Sequence, residues 1–369
     1  MIIGCPKEIK IQEFRVGLTP ANVKSYVAAG HKVYIEKDAG AAIGFTDQMY
    51  QQAGAVITDK AELFTKSEMI IKVKEPIACE YDYFREGQIL YTYLHLAADK
   101  ELTDMLLAKK IQAIAYETIK TSLGLPCLTP MSQIAGRLAT LEAAKFIQKK
   151  YGGSGILLSG TAGTPKAKVV VLGGGVVGLN AAQIAVGIGA DVTVLDINAS
   201  RLSYLDQIFG MKVTTLVASR GNIEKCLKEA DVVIGAVLVP GAKTPHLVNK
   251  SDLNLMKKGT ILVDVSIDQG GGVESSHPTT HDDPVYLIDG IVHYCVANMP
   301  GSVAHTATLG LTDSTLEFGL KIANMGVKSA CLSDPAILEG LNTYNGKCTF
   351  KGVSEAFDYP YTEARVALG

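Results

Sequence analysis

At roughly 150 residues per domain, the 369 residues of this chain predict two or three domains. Hydrophobic residues make up 47% of the sequence and charged residues 20%, which is typical of a folded globular protein and excludes a disordered one. The 35 basic and 37 acidic residues give a net charge of -2, so the chain lacks the positive charge expected of a nucleic-acid-binding protein.

The first 130 residues alternate apolar strand patterns with helical patterns. Strand patterns lie at 1–4, 32–36, 69–73, 88–93 and 112–117. Between the first two strands, Thr19 and Pro20 open a helix, with the threonine as N-cap and the proline at the first helical position. Strands that alternate with helices indicate a mostly parallel sheet covered on both faces.

A second alternating set follows a longer helix predicted over 131–150. Its strand patterns lie at 168–172, 191–195, 231–237, 260–265 and 285–288. The tail is predicted to be helical over 306–323 and irregular afterwards. We therefore predict an α/β protein with two doubly wound Rossmann-like domains, parallel sheets, linking long helices and a cleft between the domains. The first domain would be discontinuous, over 1–130 and 306–369, with a cofactor-binding domain inserted over 131–305.

Location in the cell is predicted from the cysteines and the N-terminal segment. The seven cysteines are an odd number without a C-x-x-C pair, which argues against a disulfide scaffold and against structural zinc. The N-terminal residues reach a charge at Lys7 without an apolar signal-peptide region. We expect a cytoplasmic protein.

An uncharged stretch over 169–190 is long enough to span a bilayer. It contains six glycines, an asparagine and a glutamine, and an apolar β-branched run leads directly into three consecutive glycines. A buried strand, a tight turn and a buried helix account for this pattern better than a membrane span.

The same stretch carries a glycine fingerprint. Gly173, Gly175 and Gly178 have the G-x-G-x-x-G spacing between a strand and a helix, and Asp196 ends the next strand pattern 18 residues later. Such glycines allow a tight turn and close approach of a pyrophosphate to the helix N-terminus, while the carboxylate accepts hydrogen bonds from ribose hydroxyls. The pattern predicts NAD rather than NADP as cofactor. The alternative is a glycine-rich turn in an ordinary α/β domain.

Several further residues are expected at the carboxyl ends of strands, where ligands bind in such sheets. These residues are Val237, Leu238, 266–268 and 297–299. Asp268 is a candidate near the nicotinamide, although it could equally cap a loop. Arg201 could flank the adenine ribose or be a solvated helix residue.

Three polar residues stand out in the first domain. Lys74 and His95 each end a strand pattern, and Arg15 precedes the first helix. Because the carboxyl ends of parallel strands share one edge, Lys74 and His95 should face the same cleft. Two cations suit a carboxylate and a histidine suits proton transfer, so a small amino or hydroxy acid is the expected substrate. A structural histidine and solvated cations are the alternatives.

A polar cluster at His277, His281, Asp282 and Asp283 follows three glycines. Metal ligation is conceivable from the residue types, but no strand or helix would preorganise them, and a solvated loop is favoured. We expect no metal site.

Eight segments of the sequence match the pattern of one known family: 15–20 (RVGLTP), 73–76 (VKEP), 93–97 (YLHLA), 130–132 (PMS), 171–178 (VLGGGVVG), 234–241 (IGAVLVPG), 263–271 (VDVSIDQGG) and 294–300 (YCVANMP). Through these segments, residues 1–315 resemble NAD-dependent L-alanine dehydrogenase. His277 departs from the arginine expected in the family. His305 also lies in a context that departs from the family pattern.

The resemblance implies a role for each of these residues. Arg15 and Lys74 would bind the carboxylate and carbonyl of pyruvate, His95 would be the acid/base, and Asp268 would complete the catalytic set. The NAD contacts implied are Ser132, Gly173, Gly175, Gly178, Asp196, Arg201, Ser219, Val237, Leu238, Ile267, Asp268, Val296, Ala297, Asn298 and Met299.

The implied reaction converts L-alanine, NAD⁺ and water to pyruvate, ammonium and NADH in a homohexamer, without nucleic-acid or membrane partners. The rivals are the NAD-binding subunit of a proton-pumping transhydrogenase, a saccharopine dehydrogenase and an inactive NAD-binding sensor. A transhydrogenase subunit has no need of an amino-acid site, which argues against the first rival. The candidate catalytic set argues against the sensor.

Overall fold

The computed structural model describes residues 1–237 and 245–369. Within these ranges the chain forms two compact units. The first unit combines Met1–Met131 with Val303–Gly369, and the second is Ser132–Ser302. Each unit is built around a sheet of its own.

The first segment of the chain alternates strands and helices. Its strands are β1 (Ile2–Cys5), β2 (Lys32–Glu36), β3 (Val56–Thr58), β4 (Met69–Ile71), β5 (Ile89–Thr92) and β6 (Gln112–Ala115). Its helices are α1 (Pro20–Ala28), α2 (Asp47–Gln52), α3 (Lys60–Lys66) and α4 (Lys100–Ala108). The predicted start of α1 is confirmed, because the Thr19 hydroxyl accepts a hydrogen bond from the Asn22 N–H at 3.2 Å.

Helix α5 (Thr129–Phe146) leads from the first unit into the second. The strands of the second unit are β7 (Lys168–Leu172), β8 (Asp191–Asp196), β9 (Val213–Val217), β10 (Val232–Gly235), β11 (Ile261–Asp264), β12 (Val285–Ile288) and β13 (Ile291–Tyr294). Its further helices are α6 (Val176–Ile188), α7 (Ala199–Phe209) and α8 (Arg220–Glu229).

The chain then returns to the first unit. This part contains α9 (Ala304–Ser333), α10 (Pro335–Gly340), β14 (Leu341–Tyr344), β15 (Lys347–Cys348), α11 (Lys351–Phe357) and α12 (Ala364–Leu368). The backbone of α9 is non-helical at Gly326, where φ is 75°. The prediction of an irregular tail is wrong, because β14 pairs with β6 and extends the first sheet.

Both sheets are mostly parallel. The eight-stranded sheet has the order β15-β14-β6-β5-β4-β1-β2-β3, and the seven-stranded sheet has the order β12-β13-β11-β10-β7-β8-β9. Among the described strands, the antiparallel pairs are β12–β13, β14–β6 and β14–β15. The predicted α/β fold with two parallel sheets is confirmed. In each sheet the strand order reverses beside the first strand, which is where ligands bind in doubly wound folds.

Apolar side chains of helices and strands form the cores. In the first unit, Phe64 of α3 and Leu102 of α4 pack in one cluster with Leu90 of β5. In the second unit, Leu227 of α8 packs in one cluster with Leu262 of β11. This packing forms a rigid scaffold, and the loops that follow the strands extend from it.

The uncharged stretch over 169–190 forms most of β7, a glycine turn and α6, as the strand–turn–helix interpretation predicts. In the part of the chain that the structure describes, every helix is too short or too polar to cross a membrane.

Candidate cofactor and substrate sites

The glycine fingerprint forms a tight turn between β7 and α6. Gly173 has a φ of 101°, in the left-handed region that favours glycine. A Cβ atom at Gly178 would lie 1.8 Å from the Gly173 carbonyl oxygen. The N-cap of α6 is Gly175, which has no side chain to satisfy the first N–H groups of the helix. The turn thus presents backbone donors at a helix N-terminus, as pyrophosphate binding requires.

Asp196 and Arg201 both bind the backbone of this turn. The Asp196 carboxylate accepts hydrogen bonds from the Gly174 N–H at 2.7 Å and from the Asn198 N–H at 2.8 Å. The Arg201 guanidinium donates to the carbonyls of Gly174 and, at 3.2 Å, of Gly175. Arg201 is therefore tied to the fingerprint and is not simply a solvated helix residue.

Most of the other predicted NAD contacts follow strand ends of the second sheet. Ser219 follows β9 and caps α8, where its hydroxyl accepts the Asn222 N–H at 3.3 Å. Val237 follows β10, and its carbonyl accepts the Ser266 hydroxyl. Leu238 lies outside the described residues. Ser132 differs from the rest, because it lies half-buried in the first turn of α5.

Two further predicted segments follow β11 and β13. Ile267 is buried and Asp268 is exposed in the loop after β11. The Asn298 N–H lies 3.5 Å from the Asp268 carboxylate and Asn298 has a φ of 61°, so the loop after β13 contacts the loop of Asp268. The remaining predicted contacts in this segment differ in exposure: Val296 and Met299 are buried and Ala297 is half-buried.

A buried carboxylate shapes the loop that carries Asp268. Asp264, the last residue of β11, is 1% exposed and accepts N–H groups of Ser266 at 3.1 Å, Gly272 at 3.2 Å and Val273 at 3.1 Å. Burial raises the pKa of Asp264, although these donors oppose the shift. Asp264 is not among the site residues predicted from the sequence. Its signal was an acidic residue between an apolar strand and a glycine-rich segment.

His277 and His281 are held by neighbours within the second unit. The His277 ring stacks on Tyr286 with centroids 3.7 Å apart, and Tyr286 stacks on His293 at 5.0 Å. His281 Nε2 lies 3.3 Å from the Asn298 carbonyl oxygen. Among residues 1–237 and 245–369, no group of three metal-binding side chains is close enough to hold an ion.

In the first unit, Arg15 is buried, which corrects the alternative of a solvated cation. Only 2% of the residue is exposed. Its Nε and Nη2 atoms donate to the two oxygens of Glu13 at 2.7 and 2.6 Å, and Nη1 lies 3.1 Å from the Met131 sulfur. Glu13, which is not among the site residues predicted from the sequence, thus holds the guanidinium in a fixed orientation.

Lys74 lies in the loop after β4, with its backbone anchored on both sides. Its N–H donates to Glu8 at 3.3 Å and its carbonyl accepts the Thr92 hydroxyl at 3.1 Å. The nearby Lys72 is fully buried and forms ion pairs with Glu8 and Glu80 at 3.3 and 3.1 Å. The half-buried Lys74 side chain, by contrast, has no hydrogen bond or ion pair within the described residues. It is the lysine available for an anionic ligand.

His95 does not end a strand, as predicted, but lies three residues beyond β5. Its backbone is left-handed, with φ 49° and ψ 35°. Glu117 stabilises this conformation by accepting the His95 N–H at 2.7 Å and the Leu94 N–H at 3.1 Å. The imidazole is 45% exposed, and its Nδ1 lies 3.8 Å from Glu117 Oε1. Lys74 and His95 thus follow neighbouring parallel strands, β4 and β5.

Comparison with known proteins places these features in a family. The model of the alanine dehydrogenase/PNT N-terminal domain matches residues 4–135, and that of the C-terminal domain matches residues 139–351. Alanine dehydrogenase from Methanococcus maripaludis is 54% identical over 371 residues, with 100% of each chain covered. Alanine dehydrogenase from Bacillus subtilis is 50% identical, with 100% of this chain and 98% of the relative covered. The chain belongs to the alanine dehydrogenase/PNT family.

Solved structures agree with this membership. An L-alanine dehydrogenase structure superposes with a TM-score of 0.94 at 50% identity, covering 97% of this chain and 99% of the other. A transhydrogenase from Sinorhizobium meliloti has a TM-score of 0.81 at 23% identity, which shows the shared fold alone. The enzyme class expected from the sequence, an oxidoreductase of the alanine dehydrogenase family with a Rossmann-type domain, is confirmed.

In this alanine dehydrogenase/PNT family member, each candidate residue of the first unit is hydrogen-bonded to a glutamate. Glu13 binds Arg15, Glu8 binds the backbone of Lys74, and Glu117 binds the backbone of His95. The catalytic and ligand-binding roles of the candidates stay predictions.

Proposed function

We propose that the chain is an L-alanine dehydrogenase, which catalyses reversible, NAD-dependent oxidative deamination of L-alanine to pyruvate and ammonium. The observation that carries this proposal is about 50% identity over the full length to relatives named alanine dehydrogenase. The site residues also support the proposal. Lys74 follows β4, His95 follows the neighbouring strand β5, and the Lys74 side chain is available for an anionic substrate. An amino acid with a small side chain is the matching substrate.

NAD is the proposed cofactor, and the fingerprint turn fits it. The space that a Cβ atom at Gly178 would fill is taken by backbone, so helix and strand approach closely, and the N-terminus of α6 is left without a side-chain cap. Gly173, Gly175 and Gly178 would shape the phosphate-binding turn, and Asp196 would receive the adenosine ribose hydroxyls. When bound, the nicotinamide accepts a hydride from the substrate Cα.

The residues of this chain would then bind substrate and move protons. Lys74 and Arg15 would hold the substrate carboxylate and the carbonyl oxygen of pyruvate, which fixes Cα in one orientation. His95 would take a proton from the water that adds to the imine carbon, and would return a proton in the reverse direction. Asp268, in the loop shaped by Asp264, would assist transfer of protons to and from the nitrogen.

Assembly and location stay proposals as well. A homohexamer is proposed on the family resemblance. A cytoplasmic location is supported by the cysteines, all seven of which are free thiols, as expected in a reducing compartment.

The purified chain should oxidise NADH with pyruvate plus ammonium. It should do so far faster than with 2-oxoglutarate plus lysine, the saccharopine dehydrogenase substrates, or with a second nucleotide, the transhydrogenase substrate. Activity with either of the other substrate sets alone would replace the proposal with the corresponding rival.

His95→Ala and Asp268→Ala should each lower kcat by roughly 100-fold or more, the usual contribution of a positioned acid or base. NADH binding, followed by fluorescence titration, should persist in both variants. Asp82→Ala is the control, because that carboxylate is exposed. Wild-type activity of either test variant would contradict the proposed catalytic role.

A further inference from the structure

One carboxylate oxygen beside Lys74 is buried without a partner. Glu75 Oε1 forms an ion pair with Lys10, but Glu75 Oε2 accepts no hydrogen bond from the described residues. Only one other buried side-chain atom in the ranges 1–237 and 245–369 shares this state, the hydroxyl oxygen of Ser154. A buried carboxylate oxygen without a donor is unfavourable, which makes Glu75 Oε2 a candidate acceptor for a ligand.

Two of the charged groups that act on Glu75, Lys74 and His95, are candidate site residues. Burial on its own would raise the pKa of Glu75, but the charges of Lys74, Lys10 and His95 outweigh burial and hold that pKa below its ordinary value. Glu75 is therefore ionised near neutral pH. Its side chain is 14% exposed, so it is largely shielded from bulk water.

The neighbouring charges complement an amino acid. L-Alanine carries a carboxylate and an ammonium group on the same carbon atom. The cation for the carboxylate is available at Lys74. Arg15, the other candidate cation, is already paired with Glu13, so its charge is balanced within the fold. In this cluster, Glu75 Oε2 offers an acceptor that is not already satisfied by the protein.

We propose that Glu75 binds the α-ammonium group of L-alanine through Oε2, and binds ammonium in the reverse reaction. This inference rests on the proposed function and assigns it a further substrate-binding residue. Lys10 holds the carboxylate in place through Oε1. Pyruvate has no ammonium group, so the contact distinguishes amino acid and ammonium from the keto acid.

Glu75→Gln should separate the substrates. Loss of one charge-assisted hydrogen bond should raise the KM for L-alanine and for ammonium roughly 10- to 100-fold. The KM for pyruvate, measured at saturating ammonium, and the Kd for NADH should stay within about twofold, since neither ligand contacts Glu75. Glu75→Asp keeps the charge, and should give intermediate KM values for L-alanine and ammonium.

Two further variants separate ligand binding from structural support. Lys10→Met removes the ion pair of Glu75 but keeps the carboxylate, so it should raise the ammonium KM much less than Glu75→Gln does. Glu86→Gln is the matched control, because Glu86 forms an exposed ion pair with Lys110. Thermal unfolding of each variant, followed by circular dichroism, reports whether it folds. If Glu75→Gln does not fold, the Glu75→Asp kinetics decide.

Equal KM changes for all substrates would overturn the inference, as would an unchanged ammonium KM in Glu75→Gln. An ammonium KM raised as much by Lys10→Met as by Glu75→Gln would also overturn it, because that pattern is expected of a structural ion pair. These outcomes differ from failure of the proposed function, in which the wild-type chain would not act on L-alanine at all.

Discussion

At the scale of single residues, buried or half-buried carboxylates organise both candidate sites. Glu13, Glu117 and Asp264 accept hydrogen bonds from the side chain or backbone of residues expected to bind or react. A carboxylate accepts several donors at once and so fixes the geometry of a loop more strongly than a neutral group does. A fourth carboxylate, Asp196, has two roles. It accepts the Gly174 N–H of the fingerprint turn, and it is the residue expected to bind the ribose.

Replacement of Asp196 should therefore change cofactor preference. Asp196→Asn keeps an acceptor oxygen but removes the charge that would repel a 2′-phosphate. We expect the ratio of kcat/KM for NADH to that for NADPH to fall by at least about tenfold, equivalent to about 1.4 kcal/mol. Asp196→Ala should relax preference similarly but weaken both cofactors, because the turn also loses its hydrogen bonds. Unchanged discrimination in both variants would show that Asp196 does not contact the ribose.

At the scale of secondary-structure elements, α6 shows why one glycine is required and another is not. A Cβ atom at Gly178 would lie 1.8 Å from the Gly173 carbonyl oxygen, whereas a Cβ atom at Gly187 would have no heavy atom within 4 Å. A similar close approach occurs at Gly136 of α5, where a Cβ atom would lie 2.2 Å from the Val177 carbonyl oxygen of α6. The first turn of α6 is therefore packed against both its own strand and α5.

The two glycines of α6 provide a matched pair of variants. Gly178→Ala should force the fingerprint turn apart, weaken NADH binding by at least about tenfold, and destabilise the fold by about 2 kcal/mol or more. Gly187→Ala should stabilise it by up to about 1 kcal/mol, because alanine has the higher helix propensity. Binding titration and urea unfolding measure both effects. Equal behaviour of the two variants would contradict this account of the turn.

At the scale of the whole molecule, each of the two units contains a buried histidine whose pKa is lowered. His293 of the second unit is fully buried, with Nε2 2.8 Å from the Ser275 hydroxyl oxygen and Nδ1 3.1 Å from the Ile291 carbonyl oxygen. Burial lowers the pKa of His293, although the Ile291 carbonyl opposes the shift. In the first unit, burial also lowers the pKa of His31. Both histidines favour the neutral form in the folded state.

The free energy of unfolding should consequently fall below about pH 6.5, the ordinary histidine pKa. Below pH 6.5 the histidine of the unfolded chain binds a proton, whereas buried His293 of the folded chain does not. The stabilisation that neutral His293 contributes is therefore complete above pH 6.5 and declines as the pH falls towards the lowered pKa. His293→Gln should reduce the slope of stability against pH between 7 and 5 by up to about 1.4 kcal/mol per pH unit. His246→Gln is the control, as His246 is exposed. An unchanged slope in His293→Gln urea titrations would contradict the prediction.

Local patterns in the sequence were sufficient to predict much of this molecule. The alternation of apolar strands with helices, the glycine spacing after β7 and the capped start of α1 are all encoded within a few residues. Each follows from backbone geometry and short-range hydrogen bonding, so no distant contact is needed to recognise it. Lys74 and His95 were each placed near a strand end from local pattern, although His95 lies three residues beyond β5.

Contacts between residues far apart in the chain required the folded structure. Glu8 accepts the backbone N–H groups of Val73 and Lys74, which lie 65 and 66 residues later in the chain. Glu117 binds the left-handed backbone of His95, 22 residues earlier. The periodicity of a sequence does not reveal contacts between residues so far apart. The return of β14 to pair with β6 was likewise missed, because edge pairing depends on long-range packing and not on local pattern. The buried, unpartnered oxygen of Glu75 belongs to the same class: a sequence contains the carboxylate, but only folding decides which donors surround it.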